Sequence, residues 1–122
     1  MGLNTALGRF GEDVAAAHLQ DCGWTILDRN WRCSAGELDI VARDDACLVF
    51  VEVKTRSSAA FGSPAEAVGP AKARRIRTLA ATWLAERRQD DPGSAWAEVR
   101  FDVVSVLRTR DGLAIDRVPA AF

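Results

Sequence analysis

Two carboxylates and one amine stand close together in the sequence, near the ends of two short apolar runs. Asp39 lies in G-E-L-D-I-V-A-R, and Glu52 and Lys54 lie in C-L-V-F-V-E-V-K. The polar break D-D-A between the two runs indicates a β-hairpin. Every second side chain of a strand leaves the same face, so Glu52 and Lys54 share a face. If the hairpin closes around Asp44 and Asp45, Asp39 can lie beside Glu52.

Charged groups on a sheet made of Val, Leu, Ile and Phe are costly to bury unless they bind something. Magnesium prefers oxygen ligands, keeps several waters and is usually held by one or two carboxylates plus a substrate phosphate. Asp39 and Glu52 supply two such oxygens, and the carbonyl of Val53 could supply a third. Lys54 could then orient or deprotonate the attacking water, or neutralise charge on the phosphate. The pattern predicts a Mg²⁺ or Mn²⁺ site suited to phosphodiester hydrolysis.

The composition indicates one soluble domain over residues 1–122, since the chain is 48% hydrophobic and 27% charged. No stretch approaches the roughly 20 apolar residues of a membrane span, and the N-terminus has no run fit for a signal peptide. The three cysteines form no C-x-x-C pair. We therefore expect a cytoplasmic protein with reduced thiols and no membrane partner.

The net charge of −1 argues against nucleic-acid binding, but the charge is unevenly distributed. Residues 70–88 contain six basic residues and one acid. Lys72 and Arg75 lie near the start of this segment, and Arg56 follows the hairpin directly. A basic patch beside an acidic pocket suits a polyanionic substrate, so these three residues are candidate phosphate contacts. A solvated helix face and a solvated connector are the alternative interpretations.

The predicted elements alternate in a way that defines an α/β fold. The expected order is a helix from Asn4 or Thr5 to about Gln20, a strand over 24–29, a loop over 30–35, the hairpin, a loop over 55–69, a helix from Pro70 to about Arg88, and strands over 98–107 and 113–118. This is α-β-β-β-α-β with one extra strand, in a mixed sheet flanked by helices.

The first helix carries an acid near its buried face. The helical wheel places on one side Leu7, Phe10, Gly11, Val14 and His18, with Ala15 and Leu19 at its shoulder. Glu12 falls just beyond Leu19, where a carboxylate can lean over the edge of a sheet. A simpler interpretation is an acid favoured by the helix dipole.

Two other polar residues are expected to be structural. His18 is the only histidine, so a nucleophilic triad gains no support. Asp102 lies in the fourth strand on the same face as Arg100, and we expect it to pair with a nearby arginine rather than to join the site.

The arrangement D-x(12)-E-x-K after a helix bearing an acid resembles the PD-(D/E)XK nuclease superfamily. The resemblance implies a restriction-endonuclease-like αβββαβ core. Glu12, Asp39, Glu52 and Lys54 also resemble the acid set of the Holliday-junction-resolvase branch. One departure is Leu38, which stands where the superfamily's name has proline.

Nearly the whole chain resembles the YraN-like family of small bacterial proteins. The matching motifs are G-E-D-V-A-A (11–16), R-N-W-R (29–32), G-E-L-D-I-V-A (36–42), V-F-V-E-V-K-T-R (49–56), F-G-S-P (61–64) and R-F-D-V-V (100–104). This resemblance implies a single endonuclease-like domain.

The leading hypothesis is therefore a Mg²⁺- or Mn²⁺-dependent endonuclease acting on DNA, with branched or junction structures as candidate substrates. Asp39, Glu52 and the Val53 carbonyl would bind the metal, and Lys54 would orient or deprotonate the attacking water. Glu12 would bind a second metal-bound water or position Lys54. Symmetric cutting of a junction would require a homodimer. The alternatives are a non-catalytic nucleic-acid-binding module on the same fold and a purely structural network of acids and lysine.

Overall fold

The computed structural model describes residues 2–57, 68–91 and 96–122. The elements are α1 (Gly2–Asp21), β1 (Thr25–Cys33), β2 (Gly36–Asp44), β3 (Cys47–Arg56), α2 (Pro70–Asp90), β4 (Glu98–Thr109) and β5 (Gly112–Val118). The expected α-β-β-β-α-β order with one extra strand is confirmed. Most of the connector expected at 55–69 lies outside the described residues.

The five strands form one mixed sheet in the order β1-β2-β3-β4-β5. Neighbouring strands are antiparallel except β3 and β4, which run parallel. A parallel pair needs a long crossover, and α2 lies in the segment that joins β3 to β4. The molecule is therefore an α/β protein with the element order of a restriction-endonuclease-like core.

Each helix covers its own face of the sheet. Ala15 and Leu19 of α1 pack in a core with Val49 and Val51, whereas α2 packs in a second core with Phe50. Val49 and Val51 alternate with Phe50 along β3, so the two cores lie on opposite faces. Among the described residues, no helix is long and apolar enough to cross a bilayer.

The prediction of a loop over residues 30–35 is largely wrong, because β1 continues to Cys33. Trp31 pairs with Leu38, and Cys33 pairs with Gly36. The polar composition of N-W-R-C suggested a loop, but pairing with β2 decides the conformation. Asn30 has a φ of 51° inside this strand, a left-handed value that asparagine tolerates better than most residues.

The buried face of α1 is rotated from the predicted one. Its fully buried side chains include Ala15 and Leu19, whereas Phe10 is 37% exposed. Small residues face the sheet because the helix lies close to it, and a Cβ on Gly11 would overlap the side chain of Thr55. The rotation turns Glu12, beside Gly11, toward the sheet.

Asp102 forms a buried ion network, as predicted. Its side chain is fully buried and accepts bonds from Arg100 at 2.8 and 3.0 Å and from Arg117 at 3.0 Å. The backbone N–H of Ala120 donates a further bond at 3.0 Å. Asp102 therefore fastens the segment after β5 to β4.

Gly11→Ala should destabilise the protein by about 1–3 kcal/mol, because the added methyl group would force α1 away from Thr55. The matched control is Gly8→Ala in the same helix, where a Cβ meets nothing within 4 Å. That control should stabilise by up to about 1 kcal/mol through helix propensity. Urea denaturation measures both free energies, and equal effects of the two substitutions would contradict the close approach.

Candidate metal centre

The hairpin opens into a fork halfway along its strands. The pairing of β2 with β3 runs from Asp44 and Cys47 to Ile40 and Val51, and stops there. Beyond this point β2 stays paired with β1, and β3 stays paired with β4. We call the gap between residues 36–39 and residues 52–56 the fork.

Asp39 spans the fork with its side chain. The backbone N–H of Val53 donates to Asp39 Oδ2 at 2.9 Å, so a carboxylate takes the place of a strand-to-strand bond. The N–H and C=O of one residue lie on the same side of an extended strand. The carbonyl of Val53 therefore also faces the fork, on the side of Asp39.

Glu52 lies opposite Asp39 and on the α2 side of the sheet. Leu48 and Phe50 pack in the α2 core, and the strand alternation continues through Glu52. The Asp39 carboxyl is within hydrogen-bonding reach of Glu52. Burial and the Glu52 carboxylate raise the pKa of Asp39 to about 8, although the Val53 N–H opposes this. The two acids therefore form an electrostatically unfavourable pair that a cation would relieve.

Two lysines adjoin the acid pair. Lys72 Nζ of α2 lies 2.5 Å from Glu52 Oε1. Lys54 is half-buried, and it lies close enough to Lys72 for the two positive charges to repel each other. Burial and the neighbouring Lys72 lower the pKa of Lys54, while Glu52 and Asp39 act in the opposite direction. A lowered pKa leaves a larger fraction of the lysine side chain neutral at a given pH, and only the neutral amine can accept a proton.

Glu12 of α1 lines the same cleft as the strand acids. Burial and Glu37 raise its pKa, and Arg29 opposes this shift. With its amide nitrogen turned toward Glu12, Asn30 donates to that carboxylate. Glu37 also pairs with Arg32 at 2.7 Å. Glu12 of α1 therefore lies near the acids of β2 and β3 instead of being surrounded only by solvent.

The acids lie where two open clefts meet. The cleft beside α2 has a volume of about 350 Å³ and is lined by Ala35, Gly36, Glu37, Asp39, Glu52, Lys72, Arg75 and Ile76. The cleft beside α1 has a volume of about 390 Å³ and is lined by Leu7, Gly8, Glu12, Glu37, Asp39, Glu52, Val53 and Thr55. Glu37, Asp39 and Glu52 belong to both clefts, so a ligand in either one reaches the same acids.

The structure thus brings together Glu12, Asp39, Glu52 and the Val53 carbonyl, with Lys54 beside them. Of the candidate phosphate contacts, Lys72 pairs with an acid, Arg75 lines the α2 cleft, and Arg56 is half-buried and already has an interaction.

Sequence reasoning missed two neighbours of these acids. Glu37 stands two residues before Asp39, and this spacing on one strand was a signal that could have revealed it. Asn30 carried no such signal, because its position depends on β1 extending past the expected loop.

The donor set fits a hard divalent cation that keeps most of its water. No three or more His, Cys, Asp or Glu side chains gather as metal ligands within residues 2–57, 68–91 and 96–122. The fork instead offers two carboxylates, Asp39 and Glu52, with the carbonyl of Val53. Magnesium is typically bound by one or two carboxylates, several waters and a substrate phosphate, so this small set suffices.

The fold and site define an α/β protein with an acid and lysine pocket at the fork of its sheet. The chain belongs to the family described as "Uncharacterised protein family UPF0102", whose model matches residues 11–106. This membership confirms the resemblance to the YraN-like family.

Several curated members of the family align over almost the full length of the chain. A UPF0102 protein of Acidothermus cellulolyticus is 55% identical over 123 residues, covering 96% of this chain and 93% of its own length. One from Frankia alni is 56% identical and covers 100% of this chain and 98% of its own length. One from Nocardia farcinica is 53% identical, with 100% and 93% covered.

Asp39→Asn should stabilise the metal-free protein, and more so at pH 8 than at pH 5. The pKa of Asp39 is about 8 in the folded state, against 3.8 for an ordinary aspartate. The folded state therefore holds a proton that the unfolded state releases, and stability falls as the pH rises through this window. The substituted amide would not ionise and would keep an oxygen for the Val53 N–H.

The measurement is urea denaturation in EDTA at the two pH values. Between pH 5 and pH 8 the variant should gain at least about 1.4 kcal/mol relative to wild type, the equivalent of one pKa unit. Asp116→Asn, at an exposed position of β5, should change little. A pH profile of Asp39→Asn parallel to wild type would contradict the raised pKa.

Proposed function

We propose that this protein is a metal-dependent endonuclease that hydrolyses phosphodiester bonds of DNA, with branched or junction structures as its substrates. The observation that carries the proposal is the convergence of Asp39, Glu52, Lys54 and the Val53 carbonyl at the fork. The element order and the approach of Glu12 from α1 support placing the chain in the PD-(D/E)XK superfamily.

Asp39, Glu52 and the carbonyl of Val53 would hold Mg²⁺ or Mn²⁺. When bound, the cation supplies Lewis acidity for the phosphate oxygens and lowers the pKa of a water. Asp39 would have to be ionised to bind, and the cation would offset the burial and the Glu52 charge that now raise its pKa. The residues of the fork thus gain charge balance from the cation.

Lys54 would accept the proton of the attacking water or stabilise the negative charge of the phosphate. Its half-buried side chain adjoins the acids, and its lowered pKa increases the fraction of neutral amine that can accept a proton. Glu12 would orient water in the α1 cleft, where it faces Glu37. The two clefts leave room for a phosphate and its flanking sugars.

Nucleic acid would approach along the α2 cleft. Arg75 lines this cleft, and Lys72 lies at its wall. Phosphate contacts from such residues make affinity fall with salt concentration, by a factor that grows with the number of contacts. Arg56, at the end of β3, would add a contact on the β4 side of the fork. Symmetric cutting of a four-way junction would be carried out by a homodimer.

A cytoplasmic setting suits this activity. Cys22, Cys33 and Cys47 are all free thiols in the structure. Free thiols are typical of a reducing compartment, where chromosomal DNA is also accessible in bacteria.

A non-catalytic nucleic-acid-binding module is the second candidate. The observation that favours it is the ion pair between Lys72 and Glu52, which already gives one acid a partner without metal. A binder of this kind would show affinity for nucleic acid that does not depend on Mg²⁺, because the lysine would offset the acid beside the phosphates.

The test is cleavage of labelled single-stranded, duplex, flap and four-way-junction DNA with Mg²⁺ or Mn²⁺. Wild-type protein should cut a structured substrate selectively. Glu52→Gln and Lys54→Met should each lower the cleavage rate by about 100-fold or more. The first substitution removes a metal ligand, and the second removes the amine that would deprotonate the water or stabilise the phosphate charge.

Glu98→Gln, at an exposed site in β4, is the matched control and should cut like wild type. The same panel with RNA defines the substrate class. Binding of the junction without any cutting, and without metal dependence, would reject the nuclease and favour the binding module.

A further inference from the structure

Lys72 occupies the wall of the acid pocket rather than open solvent. Its amine lies 2.5 Å from Glu52 Oε1, and its side chain is 30% exposed. The Glu52 side chain is only 12% exposed, so this ion pair is partly shielded from water. Lys54 is close enough to Lys72 for the two positive charges to repel each other, which helps to lower the pKa of Lys54.

The position of Lys72 in its helix is unfavourable without Glu52. Pro70 is the first residue of α2, so Lys72 lies in the first turn, which contains no acid. The N-cap Gly69 provides no side-chain bond to that turn. The first turn is the positive end of the helix dipole, where acids are favoured and lysines are not. The nearby carboxylate compensates for both the lysine and the helix end.

We propose that Lys72 is a built-in counter-ion that competes with the divalent cation for Glu52. It neutralises Glu52 when no metal is bound and turns toward the substrate phosphate when metal takes its place. This inference rests on the proposed function, because it requires the fork to bind a divalent cation.

The geometry provides both the competition and the room to move. Glu52 contacts Lys72 through Oε1 and lies beside Asp39, so a cation shared by the two acids would lie near the lysine amine. Two positive groups at one carboxylate repel each other in a shielded site. The α2 cleft lies alongside, where Arg75 offers a second basic group one turn later in the helix. A displaced Lys72 would therefore join Arg75 at the phosphate-binding wall.

The experiment measures Mn²⁺ affinity by calorimetry in the absence of nucleic acid, so no activity is needed. Lys72→Met should bind Mn²⁺ about five- to tenfold more tightly than wild type, because the competing cation is gone. Arg75→Met is the matched control, since it removes the same charge from the same cleft without breaking the Glu52 pair. That control should change affinity less than twofold.

A companion measurement uses thermal unfolding. Lys72→Met should be less stable than wild type in EDTA, because Glu52 loses its partner, and saturating Mn²⁺ should raise its melting temperature more than that of wild type. Lys72→Gln gives the same comparison if the methionine variant does not fold. Glu52→Gln should lose the rise in melting temperature with Mn²⁺, which assigns this stabilisation to the fork.

The outcomes separate this inference from the proposed function. Tighter binding by Lys72→Met alone supports the counter-ion. Wild-type binding of Mn²⁺ with equal or weaker binding by Lys72→Met overturns the counter-ion and leaves the cation site standing. Failure of both wild type and Lys72→Met to bind Mn²⁺ overturns the cation site and the counter-ion together.

Discussion

The hydrogen bond from the Val53 N–H to Asp39 Oδ2, 2.9 Å long, lies where β2 and β3 stop pairing. A buried backbone N–H must find an acceptor, and past Ile40 the strand β2 no longer provides one. The Asp39 side chain fills that role and so is held at the mouth of the fork. The Val53 carbonyl points the same way because it belongs to the same extended residue. A break in the sheet thus positions both an acid and a carbonyl.

Charge balance around the fork depends on this break. Asp39 and Glu52 lie together at the edge of two apolar cores, and burial, together with their mutual repulsion, raises the pKa of Asp39. Lys54 and Lys72 compensate only in part, since they also repel each other. Such arrangements of opposed, mutually perturbed groups are frequent at functional sites. They contrast with Asp102, whose carboxylate accepts hydrogen bonds from Arg100, Arg117 and the backbone N–H of Ala120.

The sequence predicted the hairpin and the outlines of both helices well, because each carries a clear alternation or stripe of apolar residues. It also placed Glu52 and Lys54 on one face, since that follows from strand geometry alone. It failed where contacts between distant segments decide the structure. The extension of β1 through Trp31 depends on pairing with β2, and the rotation of α1 depends on how closely Gly11 approaches Thr55.

The same limit applies to the site. Spacing in the sequence brought Asp39, Glu52 and Lys54 together in the prediction, but it could not show that Lys72, 20 residues further along than Glu52, would pair with that acid. Composition favoured phosphate contact for this lysine. In the structure the Lys72 amine instead forms an ion pair with the Glu52 carboxylate.

The proposed site at the fork would hold one divalent cation through Asp39, Glu52 and the Val53 carbonyl. Anomalous diffraction from crystals grown with Mn²⁺ tests it most directly. We expect a single strong peak about 2.1 Å from an oxygen of each of the three residues, with Lys72 turned away from Glu52. Crystals at saturating Mn²⁺ that show no peak at the fork, with the Lys72–Glu52 pair intact, would contradict it.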